Sequence, residues 1–493
     1  MDRIRTLSEL GLTAQGARQA RITGLATDSG AVREGMLFAA LPGTRVHGAR
    51  YVETALARGA AAILTDAAGA RLAANALAAH DAALVVAEDP RQTLAYTAAL
   101  WFGAQPEVMV AVTGTNGKTS VATFTRQIWE RLGFDAVNLG TTGVEGALCA
   151  PMTHTTPEPV TLHEILARCA AQGVTHAAME ASSHGLDQCR LDGVRLAAAG
   201  FTNITQDHLD YHPDFESYFR AKAGLFDRVL PENGVAVINI DDPNGARIAD
   251  IAAGRGQDLI TVGRREGADL QLLAQRFDAT GQVVRLAWED RIHQLRLDLI
   301  GGFQAGNVAL AAGLAIGAGA DAARVLAELP GMTTVRGRMQ LAATRGNGAA
   351  VFVDYAHTPD AVATAIAALR PHVMGRLIAI IGAGGDRDRG KRPLMGQAAA
   401  QFADAVIVTD DNPRSEDPAT IRAAVLSGCP GAAEVADRAE AILRGVDMLA
   451  PGDALLICGK GHETGQVVGE DTLPFDDAEQ ASLAVSVLDG GVA

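Results

Sequence analysis

Hydrophobic positions along this chain fall into short apolar runs separated by segments with the three-to-four spacing of helices. Near the start, residues 36–40, 61–64 and 83–86 read as strands, and residues 51–58 and 91–101 carry helical period. That alternation predicts a small α/β unit over residues 1–90. The middle repeats the pattern on a larger scale. An apolar strand from residue 108 runs through a glycine turn into a helical segment, and further strands are expected at 175–180, 196–201 and 234–239, with a helix at 162–171. Strand and helix in strict alternation imply a parallel, doubly wound sheet. A strand-rich insert follows over 259–299, in which 283–288 and 293–297 look like paired strands. Residues 308–320 are apolar but too short and too rich in glycine and alanine to cross a bilayer, so they predict a buried helix. Pro330-Gly331 marks a turn that closes the central unit at 91–330. A second α/β series then runs through 350–353, 377–381, 405–409 and 454–458, giving a third unit over 331–493. The fold class is α/β in three domains, and the loops at the carboxyl ends of the strands are where ligands should sit.

Composition narrows the function classes. The chain has 493 residues, 48% hydrophobic and 20% charged, which fits a soluble globular protein of several domains. A net charge of -15 and only 4% aromatic residues argue against nucleic acid and against an anionic membrane surface. Five cysteines without a CxxC pair read as reduced thiols of a cytoplasmic protein, and the amino terminus has no apolar leader.

The chemistry is concentrated in strand-end loops. Gly114-Thr115-Asn116-Gly117-Lys118-Thr119 follows a strand and opens a helix. Its glycines let backbone N–H groups face an anion, Lys118 can reach outer phosphates, and the Thr119 hydroxyl can hold Mg²⁺. Val112 stands where a standard phosphate loop has its first glycine, and such a turn can also be a mere tight connection. Glu180 ends a strand, where it could complete a Mg²⁺ shell or stay a solvated loop carboxylate. Residues 203–212 pack two histidines and two aspartates, a density that suits a second cation. Lys222 lies on a helical segment and by itself is a surface lysine. Arg338, just past the unit boundary, could swing onto a phosphate or remain an exposed hinge residue, and Asp354 at a strand end could bind a ribose hydroxyl. Arg387 and Arg414 sit in charged loops after strands of one sheet, so they could converge on a carboxylate, while Glu463 could receive an ammonium.

Taken in order, GTNGKT, MEASSHGL, TNITQDHLDYH, GRM, DYAHTPD, GGDRDRGKRPLM, DNPRSEDP and GKGHE resemble the Mur ligase family over nearly the full chain. The resemblance implies a UDP-binding amino-terminal unit, a central ATPase unit, and a Rossmann-like carboxyl-terminal unit that delivers an amino acid. It implies ATP and Mg²⁺, an acyl phosphate made on a D-glutamate side chain, and attack on it by an amine. Lys118 and Thr119 then serve the phosphates and first Mg²⁺ with Glu180, within the Gly114, Thr115, Asn116 and Gly117 turn. His208 serves a second Mg²⁺, and Lys222 stands at a position that the family carbamylates. Asn307 matches the adenine contact, while Arg338 and Asp354 match nucleotide contacts.

For the UDP-N-acetylmuramoyl dipeptide, the resemblance assigns Ser29 and the 42–47 loop to the uridine end, and Thr155, Thr156, Ser183, Gln188 and Arg190 to the peptide end. In this family the Asp411-Asn412-Pro413-Arg414 motif accompanies meso-diaminopimelate, with Arg387, Gly459 and Glu463 as further contacts. Diaminopimelate differs from lysine by one distal carboxylate, which a planar arginine fork can select. The expected form is a monomer. Two residues depart from the family pattern, Gln304 and His154, each where asparagine is usual. Rival readings are a lysine-adding relative, a folylpolyglutamate synthase, a plain phosphate-loop ATPase or kinase, and a silent nucleotide-binding scaffold.

Overall fold

The computed structural model describes residues 4–43, 46–205 and 211–490. Strands Leu25–Ala26, Leu37–Ala39, Ala62–Thr65 and Ala83–Val86 form a four-stranded sheet in chain order, every pairing parallel. Successive side chains point to opposite faces, so Leu37, Ala62 and Leu64 enter one buried cluster and Phe38 and Ile63 another. Helix Pro90–Phe102 starts with proline in its first turn and with the Asp89 carboxylate accepting the N–H groups of Arg91 and Gln92. Its Leu94, Ala98 and Trp101 pack into the amino-terminal cluster, and it ends at Gly103.

The central sheet has ten strands. Val108–Thr113 comes first in sequence but lies inside the sheet, parallel to Ala198–Phe201 on one side and His176–Glu180 on the other. The chain leaves it in one direction toward Ala136–Gly140 and returns to the other side at Ala198–Phe201. This reversal of strand order opens a crevice at the carboxyl end of Val108–Thr113, where the phosphate loop sits. The strand-rich segment expected after residue 258 continues the same sheet: Asp258–Gly263 and Leu270–Asp278 extend it in parallel, then Gly281–Trp288 and Arg291–Leu297 close its edge in antiparallel register. Helices Lys118–Arg131 and Phe303–Gly317 cover one face, with Val121, Phe124, Val308 and Leu314 in one core. Pro159–Ala171 and Phe215–Gly224 cover the other with Leu162, Leu166 and Phe219. Phe303–Gly317 is the buried helix expected from residues 308–320, its Val308–Ala315 stretch wholly inside.

The third unit is a six-stranded sheet ordered Gln340–Thr344, Ala350–Asp354, Ala454–Cys458, Leu377–Ile381, Ala405–Val408 and Ala433–Glu434, parallel except for its first pair. A separate two-stranded hairpin, Gly465–Val468 with Asp471–Pro474, follows the Ala454–Cys458 strand. Among the described residues no helix is long and apolar enough to cross a membrane.

Candidate active site

The phosphate loop departs from Thr113 through Gly114 at φ 150° and Gly117 at φ 88°. A side chain at Gly114 would place Cβ 1.8 Å from Thr202 Oγ1, so glycine is required by close approach as well as by conformation. Helix Lys118–Arg131 begins at once and turns its first-turn N–H groups and positive dipole end toward the loop. Residues 202–205 brace the turn from outside. The Asn116 N–H donates to Asn203 Oδ1 at 3.0 Å, Thr202 Oγ1 donates to Asn116 O at 2.6 Å, and the Thr205 N–H donates to Thr115 Oγ1 at 3.0 Å.

Two ammonium groups converge here. Lys118 Nζ donates to the Gly114 and Thr115 carbonyls at 2.9 Å each. Lys222 is 1% exposed, lies 4.6 Å from the Tyr218 ring centroid, and donates to the same Gly114 carbonyl at 2.7 Å. Lys222 is therefore a buried residue of the loop's floor, which its place on a helical segment did not reveal. His208 lies outside the described residues. His212, from the same sequence cluster, is buried and packs between the rings of Tyr211 and Tyr218.

Glu180 ends strand His176–Glu180 and is 1% exposed. It accepts the Thr141 N–H at 2.8 Å and the Thr141 hydroxyl at 3.3 Å, and among the described residues it has no ion-pair partner. A buried carboxylate of this kind needs a cation. With the Thr119 hydroxyl on the same cleft wall it fits Mg²⁺, which takes few protein oxygens and fills its shell with phosphate and water. Among the described residues no three His, Cys, Asp or Glu side chains are grouped to hold a metal.

The third unit closes the cleft. Arg338 Nη2 donates to Thr119 Oγ1 at 3.2 Å, and its guanidinium lies 4.6 Å from the Tyr355 ring centroid. Asp354 accepts the Met339 N–H at 2.7 Å; burial pushes its carboxyl up, and Arg338 partly opposes this. Asn307 Nδ2 donates at 3.1 Å to Gln304 Oε1, so the buried Gln304, one of the two departures, orients the residue matched to adenine. The other, His154, shares a hydrogen bond with Thr153 Oγ1.

At the peptide end, Thr156 Oγ1 donates to Glu180 O at 2.9 Å, Thr155 and Thr141 hydroxyls lie 3.1 Å apart, and Arg190 donates to Thr156 O at 2.6 Å and to Gln188 Oε1 at 2.8 Å. Burial, then the nearby Arg91, lowers the Arg190 guanidinium below its ordinary value, a setting that favours an incoming anion. Ser183 is 1% exposed, and its Oγ has no partner among the described residues.

A cleft of about 810 Å³ brings together Lys118, Thr119, Thr155, Thr156, Glu180, Arg190, Asn307, Arg338 and Asp354. A smaller cavity of about 290 Å³ shares Asn203, Phe303 and Asn307 with it. Lys222, Ser183 and Gln188 do not line the cleft. Ser29 opens the short turn Ser29–Ala31 in the amino-terminal unit, capped by Asp28; of the neighbouring 42–47 loop, Thr44 and Arg45 lie outside the described residues.

The residues expected to take the amino acid form their own group. Asn412 Nδ2 donates to Glu463 Oε2 at 2.8 Å, and the fully buried Lys460 bridges Asn412 Oδ1 at 3.0 Å and Glu463 Oε2 at 3.1 Å. Arg414 Nη1 donates to Gly385 O at 2.8 Å. A Cβ on Gly384 would lie 2.7 Å from Arg414 Nη1 and 3.9 Å from Arg387 Cγ, so both arginines flank one glycine. At Gly459 a Cβ would meet Asp411 Oδ2 at 2.4 Å. Sequence reasoning gave no role to Lys460 or Tyr355; the signal available for Lys460 was a lysine three residues before an acid in a glycine-bounded turn.

A phosphate loop, a buried carboxylate and an arginine supplied across a cleft by a second α/β unit define a nucleotide-using enzyme. The chain belongs to the Mur ligase family. Its residues 21–102 match the family's catalytic domain, 112–315 the Mur ligase middle domain, and 337–461 the glutamate ligase domain. It is 49% identical to the UDP-N-acetylmuramoyl-L-alanyl-D-glutamate–2,6-diaminopimelate ligase of Mesorhizobium japonicum, covering 94% of this chain and 95% of that one. The enzyme of the same name from Caulobacter vibrioides is also 49% identical, over 95% and 96% of the two chains. A solved structure of that name superimposes with a TM-score of 0.72 at 33% identity, covering 99% of both chains.

Proposed function

We propose that this protein is an ATP-dependent amide ligase that joins meso-2,6-diaminopimelate to the D-glutamate side-chain carboxylate of UDP-N-acetylmuramoyl-L-alanyl-D-glutamate, a cytoplasmic step of peptidoglycan precursor synthesis carried out by a monomer. The observation that carries the reading is the contact of Arg338 with Thr119 across the cleft from Glu180. Backbone amides of residues 114–119 and Lys118 hold the ATP phosphates, and Arg338 clamps the outer one from the opposite side. Mg²⁺ held by Thr119 and Glu180, and a second ion served by His208, would neutralise charge on the migrating phosphoryl group, and Lys222, if carbamylated, would add a metal-binding carboxylate. Asn307, oriented by Gln304, and Asp354 fix the nucleoside.

Ser29 and the 42–47 loop take the uridine end, while Thr155, Thr156, Ser183, Gln188 and Arg190 hold the dipeptide with its carboxylate toward the γ-phosphate. Transfer of the phosphoryl group gives an acyl phosphate. The free amine of the incoming amino acid then adds to its carbonyl, and the tetrahedral intermediate expels phosphate to leave the amide. Arg414 and Arg387 flank a position suited to the distal carboxylate of diaminopimelate, and Glu463, held by Asn412 and Lys460, receives its ammonium.

Phosphate release with ATP, Mg²⁺ and the UDP-dipeptide is the test, with meso-diaminopimelate or L-lysine added. Release dependent on diaminopimelate is expected. Release with lysine alone would overturn the amino-acid assignment, and release needing no amino acid would overturn the ligase reading.

A further inference from the structure

We propose that the hairpin Gly465–Val468/Asp471–Pro474 is the positioning scaffold of the amino-acid pocket, and that Gln466 is a specificity-positioning residue acting through Arg414. This rests on the assignment of Arg414 to the distal carboxylate.

Arg414 has φ 52°, a left-handed backbone that L side chains rarely adopt unless their surroundings impose it. Both of its backbone polar groups are bonded to the hairpin. The Arg414 N–H donates to Val467 O at 3.0 Å, and the Gly469 N–H donates to Arg414 O at 2.8 Å, forming a parallel bridge to Val468. Asp411 and Asn412, three and two residues earlier, are tied to the same strand. Gln466 Nε2 donates to Asp411 O at 2.7 Å, and the Val467 N–H donates to Asn412 Oδ1 at 2.9 Å. Asn412 in turn holds Glu463.

The hairpin pairs with neither neighbouring sheet, and its return strand is exposed at all four residues. Two strands alone are marginal in water. Among the described residues, the hydrogen bonds that it makes outside itself go to residues 411–414, so its contribution is to fix the loop that carries the arginine. Direction is what a planar guanidinium needs to choose a carboxylate, and a misplacement of about 1 Å is enough to cost much of that choice.

The test uses full-length protein and four variants, with kcat/KM for meso-diaminopimelate and for L-lysine, KM for ATP, and binding of a nonhydrolysable ATP analogue as the folding control. Gln466→Leu removes the bond to Asp411 O and leaves that carbonyl without it. At Gly469, φ is 60° with nothing within 4 Å of a Cβ, so substitutions there act on the backbone alone. Gly469→Val opposes the left-handed conformation and Gly469→Asn tolerates it. The expected result is a roughly tenfold fall in the diaminopimelate-to-lysine ratio for Gln466→Leu and Gly469→Val, unchanged KM for ATP, and selectivity retained by Gly469→Asn. If Arg414→Ala loses the preference while Gln466→Leu and Gly469→Val keep it, the scaffold proposal is overturned and the Arg414 assignment stands. If Arg414→Ala itself keeps the preference, both fall.

Discussion

Arg438→Met tests how much the amino-acid end depends on one buried charge. Arg438 and Asp477 are each 0% exposed at the side chain and meet bidentately, Nε to Oδ1 and Nη2 to Oδ2, both at 2.7 Å. Asp477 also raises the Arg438 guanidinium above its ordinary value, against the opposing pull of burial. The same guanidinium donates to Cys458 O at 2.9 Å and to Asp410 O at 3.3 Å, the carbonyls just before Gly459 and Asp411. Methionine keeps most of the stem volume but leaves the Asp477 carboxylate alone in the interior. Breaking one side of a buried pair costs about 3–5 kcal/mol, and two carbonyls losing their donor add roughly 1 kcal/mol each at most. A loss of about 3–7 kcal/mol is thus expected, a large share of the roughly 5–15 kcal/mol that typically holds a domain. Adding Asp477→Leu removes the stranded charge and should restore most of that loss. Urea unfolding followed by circular dichroism reads the cycle. Steady-state kinetics on the double variant should show a raised KM for diaminopimelate beside an unchanged KM for ATP. A single variant costing less than about 1 kcal/mol, or a double variant no more stable than the single, would refute the reasoning.

Three further outcomes are expected. In Gly140→Ala the added Cβ would lie 2.0 Å from Glu180 Oε1, so the carboxylate must move and phosphate release should fall roughly 10²-fold with circular dichroism unchanged; full activity would remove Glu180 from the site. His163 and His462 are both pushed down to about 4, chiefly by burial, with Arg195 beside the first and Arg338, Arg336 and His357 beside the second. Between the ordinary value of 6.5 and about 4 the unfolded chain binds the more protons, so their contribution is complete above that window and is lost as pH falls through it. Urea midpoints measured against pH should show this slope, and His163→Leu should flatten it. Cys149 is exposed and the other four cysteines are buried, Cys189 with its thiol pushed up to about 12, so one thiol should react with Ellman's reagent in the native protein and five in denaturant.

The strands and the phosphate loop were legible because they are local. Val108–Thr113, the glycine turn and Lys118–Arg131 are adjacent in sequence, and a buried parallel strand betrays itself as an apolar run. The continuation of the central sheet through Leu270–Asp278 was not, because only two residue pairs, Val262 with Leu270 and Gly263 with Gln271, join it to Asp258–Gly263, and its alternation is broken by a register shift between Leu272 and Ala274. The hairpin at 465–474 escaped because its strands are four residues each and have no buried face, the first partly buried and the second exposed throughout, so no period marks them. Lys222 and Lys460 defeat the ordinary expectation that lysine is solvated, since each is buried against a partner from a distant motif, the Gly114 carbonyl for Lys222 and the Asn412 amide oxygen for Lys460. His212 shows the converse, a histidine in a suggestive cluster that packs among aromatic rings.

Tyr355 joins the two halves of the site. Its ring carries Arg338 on one side, lies 4.9 Å from the His462 ring and 4.6 Å from the His357 ring, and its N–H donates to Gly337 O at 2.9 Å. Burial raises its hydroxyl first, and Glu463, Arg338, Asp411 and Arg414 all act on it in turn, so this one side chain stands within the field of both the phosphate clamp and the amino-acid pocket. Arg338, Glu463 and Arg414 belong to one α/β unit, and the ring packs against Arg338 and against His462, the neighbour of Glu463. A movement that sets Arg338 on the phosphate loop therefore brings the amino-acid pocket with it, which delivers the amine only where ATP is clamped. Tyr355→Phe keeps the ring face and should leave KM for ATP and for diaminopimelate within about twofold of the parent, since the cation–π contact survives. Tyr355→Leu removes it, and both KM values should rise together, by roughly fivefold for a contact of about 1 kcal/mol. A rise confined to ATP would mean that the two pockets are set independently and that the ring serves Arg338 alone.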